Sequence, residues 1–146
     1  MIIQSVNRTD AEKIFGAFTN AAGATITTGD AVAFTTTVAS LDGNKAVLPA
    51  AGQLNTFAGI STSDVADNAV GLYQAYGYCG SVFYFAEATS VSLAVGGLAA
   101  GPGVAASNGV AVTGLSFALG PVIIVQSVGA VVRSAGGYVQ GFIRAL

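Results

Sequence analysis

The sequence contains no histidine. That removes the commonest general base, the usual activator of serine and cysteine nucleophiles, and the commonest metal ligand. The expectation is a protein that is not an enzyme and that carries no cofactor and no metal. Charge is also scarce. Charged residues are 8% of the chain and hydrophobic ones 53%, where an ordinary soluble domain carries about 25% charge. Such a chain has few residues to spend on free solvent-facing surface, so it is expected to assemble or to lie against another surface. The blander alternative is a monomer coated with Ser, Thr and Asn. Five basic and seven acidic side chains give a net charge of −2, and Lys and Arg never cluster. Nucleic acid, which demands several phosphate-neutralising cations, is not an expected partner. The single cysteine, Cys79, excludes an internal disulfide and fits assembly in a reducing cytoplasm.

Long apolar runs are missing too, despite a mean hydropathy of +0.69. A spanning helix needs about 20 mostly apolar residues. The most apolar stretch, Leu115 to Val132, is interrupted by Pro121, Gln126, Ser127 and glycine. The opening Met-Ile-Ile-Gln-Ser-Val-Asn-Arg lacks the basic region followed by an apolar run that marks an export signal. No membrane partner is expected. With 146 residues the chain reads as one ordinary domain or two very small ones, and a chain of that length can bury about two thirds of its unfolded surface.

What charge there is gathers at the start. Arg8, Asp10, Glu12 and Lys13 lie within six residues, whereas no charge occurs between Glu87 and Arg133. Thr9 and Glu12 match a capping box. Ile14, Phe15 and Phe18 then fall at helical spacing. The spacing predicts a short helix over Asp10 to Ala21, ended by Gly23, within an N-terminal arm of residues 1–23. A helix so short is marginal alone in water and must dock its apolar stripe on something. Ile2, Ile3, Ile14, Phe15 and Phe18 are therefore the candidate subunit or partner interface.

From Ala24 the pattern is β, giving a mainly β domain over residues 24–146. Thr and Val dominate, and glycines punctuate at short intervals. Strands are expected at Ala31–Ala39, Ala46–Leu48, Thr56–Thr62, Val70–Phe85, Ala88–Val95, Gly109–Thr113, Val122–Val128 and Gly137–Ile143. Asp42-Gly43-Asn44 supplies a hairpin turn, and Gly77 and Gly80 should bend or bulge the long aromatic strand. Strands about ten residues apart with turns between them point to a small barrel or sandwich. An internal repeat is also read. Gly43 and Gln74 recur 66 places on as Gly109 and Gln140, and Gly29 recurs at nearly that shift as Gly96. Two β units, 24–87 and 88–146, would then pack as one pseudo-symmetric domain.

The remaining chemistry is thin. Cys79, in a Tyr/Gly/Val-rich strand, reads as a small core residue. Asp64 and Asp67 could start a calcium loop, but a polar turn is the simpler reading because further acids are missing. Asp30 and Asp42 are turn residues accepting backbone N–H bonds. Gly96-Gly97 and Gly101-Pro102-Gly103 lack the lysine and the strand-to-helix context of a phosphate loop. Alternation would place Tyr76, Tyr78 and Tyr84 on one face, either as a sugar-stacking platform or as core with hydroxyls at its rim.

Several phrases together resemble the capsid decoration, or cement, proteins of tailed bacteriophages. They are TTGDAVAF with the following DGNKAVL, then FAGISTSDVADNAVGLYQAYG, GPGVAASNGVAVTG, LGPVIIVQSVGA and the closing SAGGYVQGFIRAL. The resemblance covers about Thr28 to Leu146. It departs in the charged N-terminal segment and in having no proline after Gly29. It implies a structural virion protein on the capsid exterior, often a homotrimer, that clamps neighbouring capsomers. The implied partner is the major capsid protein, onto which the N-terminal segment would extend. Other expectations kept open are a tail or fibre subunit and a carbohydrate-binding surface module.

Overall fold

A computed structural model describes residues 12–35, 43–49, 56–86, 90–93, 98–99, 110–112, 122–125, 128–132 and 136–145. It is mainly β, as the Thr/Val-rich pattern requires. The strands are β1 (Ile14–Asn20), β2 (Ala31–Phe34), β3 (Lys45–Val47), β4 (Phe57–Ser61), β5 (Val70–Ala86), β6 (Ser90–Leu93), β7 (Leu98–Ala99), β8 (Val110–Val112), β9 (Val122–Ile124), β10 (Val128–Val132) and β11 (Gly136–Arg144).

The N-terminal helix expected over Asp10 to Ala21 is not there. Residues 14–20 form β1, antiparallel to β5 in the register Phe18↔Gly71 and Thr19↔Val70. Ile14, Phe15 and Phe18 fit a helical stripe, but Ala17, Phe18 and Thr19 also alternate in and out as a strand does. Pairing with a seventeen-residue strand gives the segment backbone partners that an isolated short helix would lack. The residues from 14 onward therefore pair within the β sheet, although the arm was expected to run over residues 1–23. Residues 1–11 lie outside the described residues.

Five strands close a ring of pairings. β1 joins β3 in parallel, β3 joins β2, β2 joins β4, β4 joins β5, and β5 returns to β1. Phe18, Ile26, Val32, Ala46, Ala58 and Val65 fill its inside. Tyr73 packs edge-on to Phe34, with ring centroids 5.9 Å apart. A second core lies beyond the ring. Val82, Tyr84, Val122, Val139 and Ile143 from β5, β9 and β11 meet Ala31, Phe57 and Ile60. Alternation along β2 sends Val32 to the first core and Ala31 to the second, so β2 and β4 are covered on both faces. That is why FAGIS is buried at all five positions. Each large side chain so buried stabilises the fold by about 1.5–3 kcal/mol.

β5 is long because it serves both cores, and it bends between them. Gly77 stands at φ +100°, a region closed to most side chains, and a Cβ there would run into the Glu12 carbonyl. Gln74, buried nearby, donates from Nε2 to the carbonyl oxygens of Tyr76 at 3.1 Å and Tyr78 at 2.9 Å. It thus satisfies acceptors on both sides of the bend.

Pairings on the two sides of this bend coincide in register. Moving each residue of β1 66 places on lands in the C-terminal half of β5. Gly16↔Tyr73, Ala17↔Leu72, Phe18↔Gly71 and Thr19↔Val70 become Val82↔Val139, Phe83↔Tyr138, Tyr84↔Gly137 and Phe85↔Gly136, all of which occur. The parallel pairs Thr19↔Lys45 and Asn20↔Ala46 likewise become Phe85↔Ala111 and Ala86↔Val112. β7, β9 and β11 then follow one another as β2, β4 and β5 do.

Candidate docking surface

Ile14 and Phe15 lie on the surface, 40% and 49% exposed. Phe18, grouped with them on helical spacing, is 1% exposed and belongs to the first core. It is not available to a partner of the folded chain. Ile2 and Ile3 lie outside the described residues. The strand geometry adds residues that the sequence did not single out. Leu72 pairs with Ala17 and Val70 with Thr19, and they are 50% and 73% exposed. Paired residues share a sheet face. Phe15, Ala17, Val70 and Leu72 thus form one outward apolar surface on β1 and β5. The signal was present in the alternation Val70-Gly71-Leu72-Tyr73, but an all-apolar alternation does not say which face is inside.

Beside this surface, β1 ahead of Thr19 has a partner strand on one side only among the described residues. Asn20 N donates to Ala69 O at 2.9 Å toward β5, and Thr19 N donates to Asn44 O at 2.7 Å toward β3. Amides alternate along a strand, so Ala17 N–H points the same way as that of Thr19. Among the described residues no strand pairs there, because β3 meets β1 only at Thr19 and Asn20. A cleft of about 190 Å³ lies at this point, lined by Ala17, Phe18, Thr19, Asn44 and Val70.

The acids hold turns. Asp30 is buried, and its Oδ2 accepts from Thr27 N at 2.8 Å and Thr27 Oγ1 at 2.7 Å. Burial pushes its carboxyl above the ordinary value, with the Thr27 bonds opposing that rise. Asp64, exposed, accepts from Thr28 N at 2.8 Å and Thr28 Oγ1 at 2.9 Å, and these bonds hold its pKa down. Asp67 accepts from Gly23 N at 2.9 Å and from Asn68 Nδ2 at 2.8 Å. Asp64 and Asp67 therefore bind separate turns rather than facing one point. No group of three or more His, Cys, Asp or Glu gathers among the described residues. Asp42 lies outside them.

Cys79 is half-buried, its thiol donates to Ser81 O at 3.4 Å, and burial raises its pKa, which keeps it a thiol rather than a thiolate. The three tyrosines share no platform. Tyr84 is in the second core, while Tyr76 packs edge-on to Phe142 at 5.1 Å. The bend at Gly77 and the bulge on β5 between Cys79 and Val82 break the alternation that would have aligned them. No helix among the described residues is long and apolar enough to cross a membrane.

No known family model matches the chain, and no curated protein matches it in sequence.

Proposed function

We propose that this is a non-enzymatic structural protein of a virion, which binds the outer surface of a tailed-phage capsid and stabilises it by clamping neighbouring capsomers. The observation that carries the reading is the outward apolar surface of Phe15, Ala17, Val70 and Leu72 on a chain with 8% charged residues. An apolar surface of this kind on a charge-poor domain favours a contact made by burial. Apolar contact contributes roughly 25 cal/mol per Å², whereas an exposed ion pair adds about 0–1 kcal/mol and is screened by salt. The resemblance of several phrases to those of decoration proteins supports the same assignment. The partner is the major capsid protein, the protein acts as a homo-oligomer with a trimer favoured, and it resides on the capsid exterior. Many weak contacts repeated over a symmetric shell would combine through effective concentration.

The test mixes purified protein with undecorated capsids across a sodium chloride series, with co-sedimentation and imaging as readouts. Binding that barely weakens with salt, and that mild chaotropes release sooner, is expected. Absence of binding, or a steep loss with salt, would overturn the reading.

A further inference from the structure

Six strand pairs recur unchanged 66 places along the chain. The first unit of this repeat runs from β1 to the first half of β5, the second from the second half of β5 to β11, and the joint falls inside β5. Their outward positions carry different chemistry. Ala17 and Leu72 pair in the first unit where Phe83 and Tyr138 pair in the second. The Phe83 and Tyr138 rings meet at 61° with centroids 5.4 Å apart. Gly29, at φ +90°, lies against them. A Cβ on it would stand 2.9 Å from Tyr138 Cε1, and its carbonyl accepts from Phe83 N at 2.9 Å. Tyr138 is nevertheless 57% exposed. A ring held by Phe83 and Gly29 yet open to solvent has little rotamer freedom left to lose when a ligand stacks on it.

This pair is one end of a longer aromatic row. Val139 and Ile143 point into the second core, so Tyr138, Phe142 and Arg144 point outward. Their cross-strand partners Phe83, Tyr78 and Tyr76 share that face. Phe83 and Tyr78 are five residues apart and in a regular strand would face opposite ways. Between Val139 and Gly141, β5 advances three residues for two of β11. The extra residue brings both rings outside and turns Tyr84 into the core. Tyr76 then packs edge-on to Phe142, with centroids 5.1 Å apart. From Tyr138 to Arg144 the row covers six residue steps of β11, about 20 Å at the usual strand rise. Arg144 is exposed and is the only charged residue on β5, β9 and β11.

We infer that this outward face of the second unit is a binding site for a neutral saccharide chain. Sugar rings present C–H faces that stack on aromatic rings, and hydroxyls around their rims. The row offers the complement in five rings, the hydroxyls of Tyr76, Tyr78 and Tyr138, and one guanidinium whose donors form a fixed fork. Charge selects this occupant. A nucleic-acid strand would also stack on aromatic rings, but it needs a basic groove, which a single arginine does not make. A hydroxyl-rich, uncharged chain matches strands that carry one cation and no acid. The length of the row suits several sugars in line, so the ligand is an oligosaccharide or polysaccharide rather than a single sugar. The site stands apart from the proposed capsid contact, which uses Phe15, Ala17, Val70 and Leu72 of the first unit.

The test applies the full chain to an array of neutral polysaccharides with cello-, xylo- and chito-oligosaccharides and their monosaccharides, and titrates each hit by calorimetry. Wild type is expected to bind at least one chain of several sugars and not its monosaccharide. Tyr138→Ala should weaken that binding by roughly tenfold or more, and Tyr138→Phe by much less, because the ring is kept. Arg144→Gln should also weaken it in a chain that folds normally, since this side chain is exposed. Leu72→Lys, on the first unit, should leave glycan binding unchanged while lowering capsid binding, so the two readings fail separately. Unfolding midpoints of the variants are measured alongside. The inference is overturned by a wild type that binds nothing on the array, or by binding that survives both Tyr138→Ala and Arg144→Gln. Tighter binding to single-stranded poly(dT) than to any glycan would overturn it too, as would self-association that Tyr138→Ala abolishes, which would make a second copy the occupant.

Discussion

The two β units share a register but close their ends differently. In the first, Asn20 at the end of β1 is a buried polar hub. Its Nδ2 donates to Ala24 O and Val65 O, both at 2.8 Å, and its Oδ1 accepts from Ala22 N at 2.8 Å. The equivalent position in the second unit is Ala86, the last residue of β5. In the first core Phe18 fills the centre, and in the second Tyr84 does. One scaffold thus tolerates quite different interiors, because the shared property is the backbone pairing and not the side chains that fill it.

The comparison can be broken most forcefully at the cores. Phe18→Ala is expected to cost about 3–5 kcal/mol of folding stability, measured by denaturant unfolding, since the ring has no other side chain to refill the space. A loss near zero would mean that Phe18 is a surface residue, as its helical spacing first implied. Asn20→Ala should cost about 1–3 kcal/mol by removing the side-chain donor to Ala24 O, one of the two donors to Val65 O, which keeps the Ile26 N–H, and the acceptor of Ala22 N. No measurable loss would show that Asn20 does not hold this end of the first unit.

A smaller effect is expected with pH. Asp30 is raised, so its contribution is fully present below 3.8 and is lost as pH climbs through the raised value; Asp64 is lowered, so its contribution is present above 3.8 and is lost as pH falls. Asp30→Asn keeps an acceptor for Thr27 and removes the first dependence. The stability difference between variant and wild type should therefore shift in the variant's favour as pH rises from 3.8 toward neutrality. A difference independent of pH would contradict the assignment. The smallest effect is expected at Val70→Ser, within about 0.5 kcal/mol, because that side chain is mostly in solvent.

The mainly β class was legible in the sequence because Thr, Val and glycine punctuation bear on backbone geometry locally. The β2, β4 and β5 strands lie where alternation placed them, and the bend at Gly77 was marked by the glycine itself. Gly43 with Gly109 and Gln74 with Gln140 gave the 66-residue spacing, but not the boundary, since β5 crosses it without a break. Sequence also dictated the scarcity of charge and the missing imidazole, which are matters of composition. Tertiary structure decided the rest. Residues 14–20 read as helix locally and became strand because β5 offered a long ladder of partners. Phe15 and Phe18 look alike in sequence, yet one is exposed and the other buried, because a period-2 backbone points them to opposite faces. Which of two apolar faces meets solvent depends on what closes the ring, and that is fixed by pairings between residues far apart in the chain.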